Sequence, residues 1–125
     1  MLGILGDENI LDAHFGENEI KKHMPRIIAV MPNYKTDSTL FCDIAILPQG
    51  FEGNISCRSA ISYGLNPKCT LTYSSLNEGQ ISLQRDVYRY DGKKISRRDY
   101  KGKITPYCER SLCIEAINLV LGIKN

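Results

Sequence analysis

The chain has no tryptophan, only three phenylalanines and only two histidines among its 125 residues. No stretch of eighteen uninterrupted apolar residues occurs, which excludes a membrane-spanning helix. There is no Gly-x-x-x-x-Gly-Lys-Ser/Thr loop to cradle phosphates and no Gly-x-Ser-x-Gly elbow to present a nucleophile. The closest cysteines, Cys108 and Cys113, fall on different faces of a helix, and neither Cys57 nor Cys69 has a neighbouring ligand in sequence. His14 and His23 stand in a weakly patterned segment. The reading therefore names no metal, no cofactor and no catalytic residue. The first eight residues carry no basic charge and reach acid at Asp7, so they make a poor export signal, and the expected location is the cytoplasm.

Net charge is also small, at +2, too little to dictate a polyanionic partner by itself. Its distribution is uneven. Residues 1–20 hold Asp7, Glu8, Asp12, Glu17 and Glu19 without a lysine or arginine, a net −5. Residues 85–103 hold eight basic side chains against three acidic ones, a net +5. Such asymmetry marks a binding face or lets one end of the chain dock on the other. Hydrophobic residues make up 42% and charged residues 24%, enough apolar material for one core in a single domain over 1–125. Five cysteines, an odd number without an export signal, predict reduced thiols, several of them small core residues.

The order of patterns predicts an α/β domain: a small mixed sheet with buried parallel strands, an antiparallel edge hairpin and a C-terminal helix packed on it. Residues 1–24 read as a helical segment, with Asp7 as a cap and Gly16 as a stop. Residues 26–103 read as the sheet. Within them, 26–31 and 41–47 are continuous apolar runs stopped by proline, the pattern of strands buried on both faces. Residues 55–63 give another short strand. Alternation at 69–76 and 80–90 predicts antiparallel strands, and Asp91-Gly92 predicts a hairpin turn. Residues 106–122 read as the helix, with Thr105 as cap, Pro106 in the first turn and Gly122 as terminator.

Three segments in order carry a family resemblance. Cys42-Asp43-Ile44-Ala45-Ile46-Leu47 resembles a sheet strand of the Mur ligase central domain. Ile61-Ser62-Tyr63-Gly64-Leu65-Asn66 is similar to the strand ending in Thr-Phe-Gly in those enzymes, and residues 112–123 resemble the helix that follows. The likeness spans about residues 41–123. It implies ATP-dependent ligation of an amino acid to a nucleotide-linked cell-wall precursor, but the residues for that chemistry are missing. The phosphate loop is absent, Pro48-Gln49-Gly50-Phe51 stands where the family has an Asp-His pair, and Glu109-Arg110-Ser111 replaces its His-Asn. The resemblance thus implies a shortened relative without ATPase or ligase chemistry.

Three functions remain in view. The first is a non-catalytic binding or protein-interaction domain, with a protein partner or a homo-oligomer. The second is a nucleic-acid-binding module using 85–103, where Arg85, Arg89, Lys94, Arg97 and Arg98 offer phosphate contacts and Tyr90 a stacking face. A solvated hairpin is the commoner use of such a segment. The third is a small enzyme with a pocket near 33–38: Asn33, Tyr34 and Lys35 follow a predicted parallel strand, where open α/β sheets bind ligands. Asp43 joins this ligand set because a carboxylate inside an apolar strand needs a donor, with Arg58 or Lys35 as its expected partner. Cys108, at a helix start, is the best thiol candidate, though no base accompanies it. No membrane partner is expected.

Overall fold

The apolar run predicted at 26–31 is extended and buried on both faces from Ile27 to Val30, with Arg26 exposed, in the computed structural model, which describes residues 2–6 and 25–123. The described elements in chain order are β1 (Leu2–Leu5), β2 (Ile27–Val30), β3 (Leu40–Phe41), β4 (Ile44–Pro48), β5 (Ile55–Ser56), β6 (Ser59–Tyr63), β7 (Leu71–Ser75), β8 (Gln80–Leu83), β9 (Val87–Tyr88), β10 (Lys94–Ile95), β11 (Arg98–Lys101) and α1 (Glu109–Leu121). Seven strands form the main sheet in the order β1-β2-β4-β6-β7-β8-β11. The first five run parallel, β8 pairs antiparallel with β7, and β11 pairs antiparallel with β8 and so runs with the first five again. A parallel ribbon, β3 with β5, and an antiparallel hairpin, β9 with β10, stand beside it.

The fold is thus the mixed sheet with one packed C-terminal helix that the patterns predict, with differences that have physical reasons. Leu2–Leu5, assigned by sequence to a helical segment, is strand β1. Four residues are too few to show a period, and the parallel partner that fixes them lies at Ile27–Val30. The remainder of that predicted segment, 7–24, lies outside the described residues. The alternation at 80–90 does not make one strand. It ends at Leu83, resumes at Val87, and leaves Arg85 and Asp86 exposed between. The Asp91-Gly92 turn is present and joins β9 to β10.

Helix α1 starts three residues later than predicted. Cys108, not Thr105, is its N-cap, and no side chain caps it. Gly122 ends it as predicted, at φ 72, the left-handed conformation that glycine adopts without strain. The Gly122 and Ile123 amides then satisfy the Leu119 and Asn118 carbonyls.

α1 packs on β2, β4, β6 and β7. Its predicted core stripe at Leu112, Cys113, Ala116, Ile117, Val120 and Leu121 meets Ile27, Ile46, Ile61, Tyr63 and Leu71 from the sheet in one cluster. Every residue from Ser111 to Leu121 is buried, so only the first turn of the helix, at Arg110, is exposed. Its outer side is covered by the chain that returns after β8. Tyr90 donates its amide to the Val120 carbonyl at 3.0 Å, Lys103 donates its amide to Glu115 Oε1 at 3.2 Å, and Tyr90, Ile95, Tyr100 and Ile104 pack against the core. The basic segment is therefore a strap around the helix, not a hairpin standing in water.

The Val30 carbonyl ties helix to sheet. It accepts the Tyr63 hydroxyl at 2.5 Å, and Cys113 Sγ lies 3.9 Å from it. Burial pushes the Cys113 thiol up from 9.0 to about 12, although Tyr63 and Arg110 pull the other way. Burial likewise pushes Tyr73 up from 10.0 to about 12. Both groups hold their protons more tightly folded than unfolded. Their contribution is intact below pH 9 and is lost as pH rises to about 12, because the unfolded chain ionises first. Urea unfolding across pH 8–12 should therefore show stability falling from about pH 9, and Cys113→Ala should make that fall shallower without abolishing its onset, because burial also raises Cys42 and Cys69.

Candidate functional site

The seven-stranded sheet extends past α1 on the β8–β11 side, and a groove forms where the edge strand faces the helix. Tyr100 pairs with Ile81 and Arg98 with Leu83, so both side chains lie on the helix-bearing face of β11. Two confluent depressions result. One, of about 500 Å³, is lined by Tyr100, Lys101, Lys103 and Glu115, and the other, of about 440 Å³, by Arg89, Lys93, Lys94 and Arg97. Arg98, Asn118, Leu119 and Ile123 line both, which makes them the junction. Each volume falls in the range of small-molecule sites.

The groove is basic. Seven cationic side chains line the two depressions against the single carboxylate of Glu115. Two of the cations already have acid partners: Arg89 pairs with Asp91 at 2.9 Å, and Lys94 lies 3.9 Å from Asp86. Arg97 uses its backbone amide, not its guanidinium, to bind Asp86 Oδ1 at 2.8 Å. Arg98 lies 5.4 Å from the Tyr100 ring centroid, and Lys101 lies 5.4 Å from that of Tyr107 and also donates to the Glu78 carbonyl. Lys93, Arg97, Arg98 and Lys101 thus form no ion pair among the described residues.

The floor is different in kind. Leu119 and Ile123 supply apolar surface, and Asn118, only 8% exposed, brings an amide to the junction. The Tyr100 hydroxyl is buried beside the Glu115 carboxylate and makes no hydrogen bond of normal geometry among the described residues. Burial first, and then the Glu115 carboxylate, push its ionisation upward, so it remains a neutral phenol facing the same depression. Arg89 has a further task. α1 has no basic residue in its last turn, and the Arg89 guanidinium packs against Gly122, offsetting the negative end of the helix dipole.

Of the basic residues singled out from sequence, the structure brings Arg89, Lys94, Arg97 and Arg98 into the groove. It leaves two out. Arg85 Nη1 donates to Thr70 Oγ1 at 3.1 Å in the gap between β8 and β9. Tyr90 packs on the core and binds the end of α1, so its ring is not a stacking platform. Sequence reasoning missed the helix-borne Glu115, Asn118 and Leu119, because a buried amphipathic pattern gives no sign of which neighbour reaches its flank.

The second sequence candidate, at the carboxyl ends of the parallel strands, is present in part. Asn33, Tyr34 and Lys35 face residues 48–52 across a cleft of about 120 Å³. An open hollow of about 320 Å³ adjoins it through Lys35 and Glu52. Asn33 takes φ 67, so the loop turns sharply out of β2. The cleft itself is smaller than a nucleotide-sized ligand needs. Asp43 is not there. It precedes β4 at the opposite end of the strands, where Oδ2 accepts the Arg26 amide at 2.8 Å, in place of the expected Arg58 or Lys35 partner. Its job is to join the starts of β2 and β4. Cys108 Sγ sits 3.5 Å from Ser111 Oγ at the helix start, and no cluster of three metal-ligating side chains occurs among the described residues.

Fold and groove together describe a small mixed α/β domain with a cationic channel beside its helix. No family model matches the chain, and neither a curated protein nor a solved structure matches it. No helix among the described residues is long and apolar enough to cross a membrane.

The position of Asp43 makes a prediction. Asp43→Ala removes a charge-assisted hydrogen bond and should lower stability by about 1–2 kcal/mol in denaturant titrations, and it should leave binding in the β11–α1 groove unchanged.

Proposed function

We propose that this chain is a non-catalytic binding domain whose groove between β11 and α1 takes single-stranded nucleic acid. The observation that carries this reading is the make-up of the groove: seven cations on its rims against one carboxylate, over a floor of Leu119, Ile123 and the Asn118 amide. Cations alone suit any polyanion. An apolar floor between them suits an anion that also carries flat apolar groups, with phosphates on the rims and bases below. A concave channel of this volume also suits one strand better than the convex surface of a duplex.

The test is binding of a fluorescent oligodeoxynucleotide at increasing salt. Four cations without an acid partner among the described residues, Lys93, Arg97, Arg98 and Lys101, give an expected log-log salt slope of about −3. Replacing Arg97 and Arg98 together by alanine should make the slope shallower by about 1.4 and weaken binding about tenfold or more. Lys35→Ala, in the other cleft, should change neither. Absence of binding at low salt, or equal loss in the Lys35 variant, would overturn the reading.

We also propose that the chain is a relative of the Mur ligase central domain that carries no phosphate-binding loop within these 125 residues. The support is that the three resembling segments become β4, β6 and α1, which pack on one another in a mainly parallel sheet. The missing phosphate loop leads to a definite expectation: ATP with magnesium should leave the melting temperature unchanged. A saturable rise would mean that a nucleotide site persists.

A further inference from the structure

The ribbon β3–β5 continues the ladder β4–β6 at one fixed offset. Leu40 pairs with Ile55 and Phe41 with Ser56, and after a short break Ile44 pairs with Ser59 and the register holds to Pro48 with Tyr63. Every pair is fifteen positions apart. Two cysteines fall at the break at that same offset, Cys42 and Cys57. The Cys42 amide donates to the Ser56 carbonyl at 3.0 Å, so the strands are still joined there. Just beyond, the Arg58 amide donates to the Asp43 carbonyl at 3.0 Å.

Registered neighbours on adjacent strands lie about 4.8 Å apart and present their side chains to the same face. That separation falls inside the Cα range of about 4.4–6.8 Å over which a disulfide closes without backbone movement. Both thiols are free and half-buried, within reach of a small reagent, whereas Cys69 and Cys113 are buried. The remaining cysteine, Cys108, is at the far end of the domain's sequence, against Ser111. Burial raises the Cys42 thiol, and Cys57 is the next largest influence pushing it the same way, as expected of two sulfurs in one neighbourhood.

We propose that Cys42 and Cys57 form a reversible redox modification site, an intramolecular disulfide across the joint between the ribbon and the main sheet, made by exchange with a low-molecular-weight disulfide such as glutathione disulfide. The Cys57 thiolate attacks one sulfur of the oxidant, the S–S bond breaks, and one glutathione thiolate leaves. Cys42 then loses its proton and attacks the Cys57 sulfur of the mixed disulfide, releasing the second glutathione. Two protein thiols are oxidised and one small disulfide is reduced to two thiols, and no other reactant is needed. The product clips the starts of β4 and β6, the two strands on which α1 chiefly rests. Such a bond persists only under oxidising conditions, since cytosolic reductants reverse it.

Peptide chemistry provides a direct test. Trypsin cleaves after Lys35 and Arg58 and nowhere between, so peptide 36–58 holds both cysteines and no other. The whole chain is equilibrated with glutathione disulfide, acid-quenched, denatured, alkylated and digested. The expected result is loss of two of the five alkylatable thiols, with peptide 36–58 two hydrogens lighter and unlabelled until dithiothreitol is added. The extent of closure should not change with protein concentration. In Cys57→Ser, Cys42 should become alkylatable or carry a single glutathione. Peptide 36–58 recovered with both cysteines alkylated or each separately glutathionylated would overturn the proposal. So would protection of Cys42 that persists in Cys57→Ser, since its partner would then lie elsewhere.

Discussion

A helix buried on every side cannot be held by a sheet alone. From Ser111 to Leu121 every residue of α1 is buried, with Asn118 and Leu119 edging the groove floor, and the sheet reaches only one flank. The other flank must be closed by chain that arrives later than the strands and earlier than the helix, and residues 87–104 do this. Their attachment is polar as well as apolar: the Tyr90 amide on the Val120 carbonyl, the Lys103 amide on Glu115, and Arg89 against the helix end at Gly122. Burying Glu115 without such a partner would be unfavourable, because a polar group taken from water needs a replacement for its lost hydration. The strap and the helix therefore stabilise each other.

That constraint also produces the groove. The strap is rich in lysine and arginine, and its backbone and apolar side chains are the parts used to hold the helix. The charged ends are left on the rim. Asp91 neutralises Arg89 and fixes the turn between β9 and β10, and Asp86 neutralises Lys94 and holds the Arg97 amide beyond β10, which leaves Lys93, Arg97, Arg98 and Lys101 without acid partners among the described residues. A cationic channel is the by-product of closing the core with this stretch of sequence, and its location on one side of β11 follows from the register of Tyr100 with Ile81.

At the opposite end of the strands the chemistry is that of strand alignment. Asp43 joins β2 to β4 through the Arg26 amide, and the constant register from Leu40 to Pro48 carries the ladder through a break. The carboxylate in an apolar strand is explained by this joint, since a break in a parallel ladder frees an amide that must be paired. The same register sets two thiols side by side. Spacing in sequence gives no hint of that pairing, because an offset of fifteen positions defines nothing until the strands are aligned.

The residues alone determined the periods: the apolar runs whose buried parts are Ile27–Val30 and 44–46, the Asp91-Gly92 turn, and the helix closed by Gly122, although the predicted strand at 41–47 breaks after Phe41, which is exposed. Each is a local property, set by burial on a pleat, by turn stereochemistry or by a left-handed terminator, and a window of ten residues displays it. The charge asymmetry of 85–103 was equally legible. Tertiary structure alone decided that Leu2–Leu5 is a strand, that Arg85 and Tyr90 leave the basic set, that Asn118 and Leu119 join it, and that Asp43 is far from Asn33, Tyr34 and Lys35. These are all consequences of pairing over long separations, where the partner that fixes a residue lies outside any local pattern.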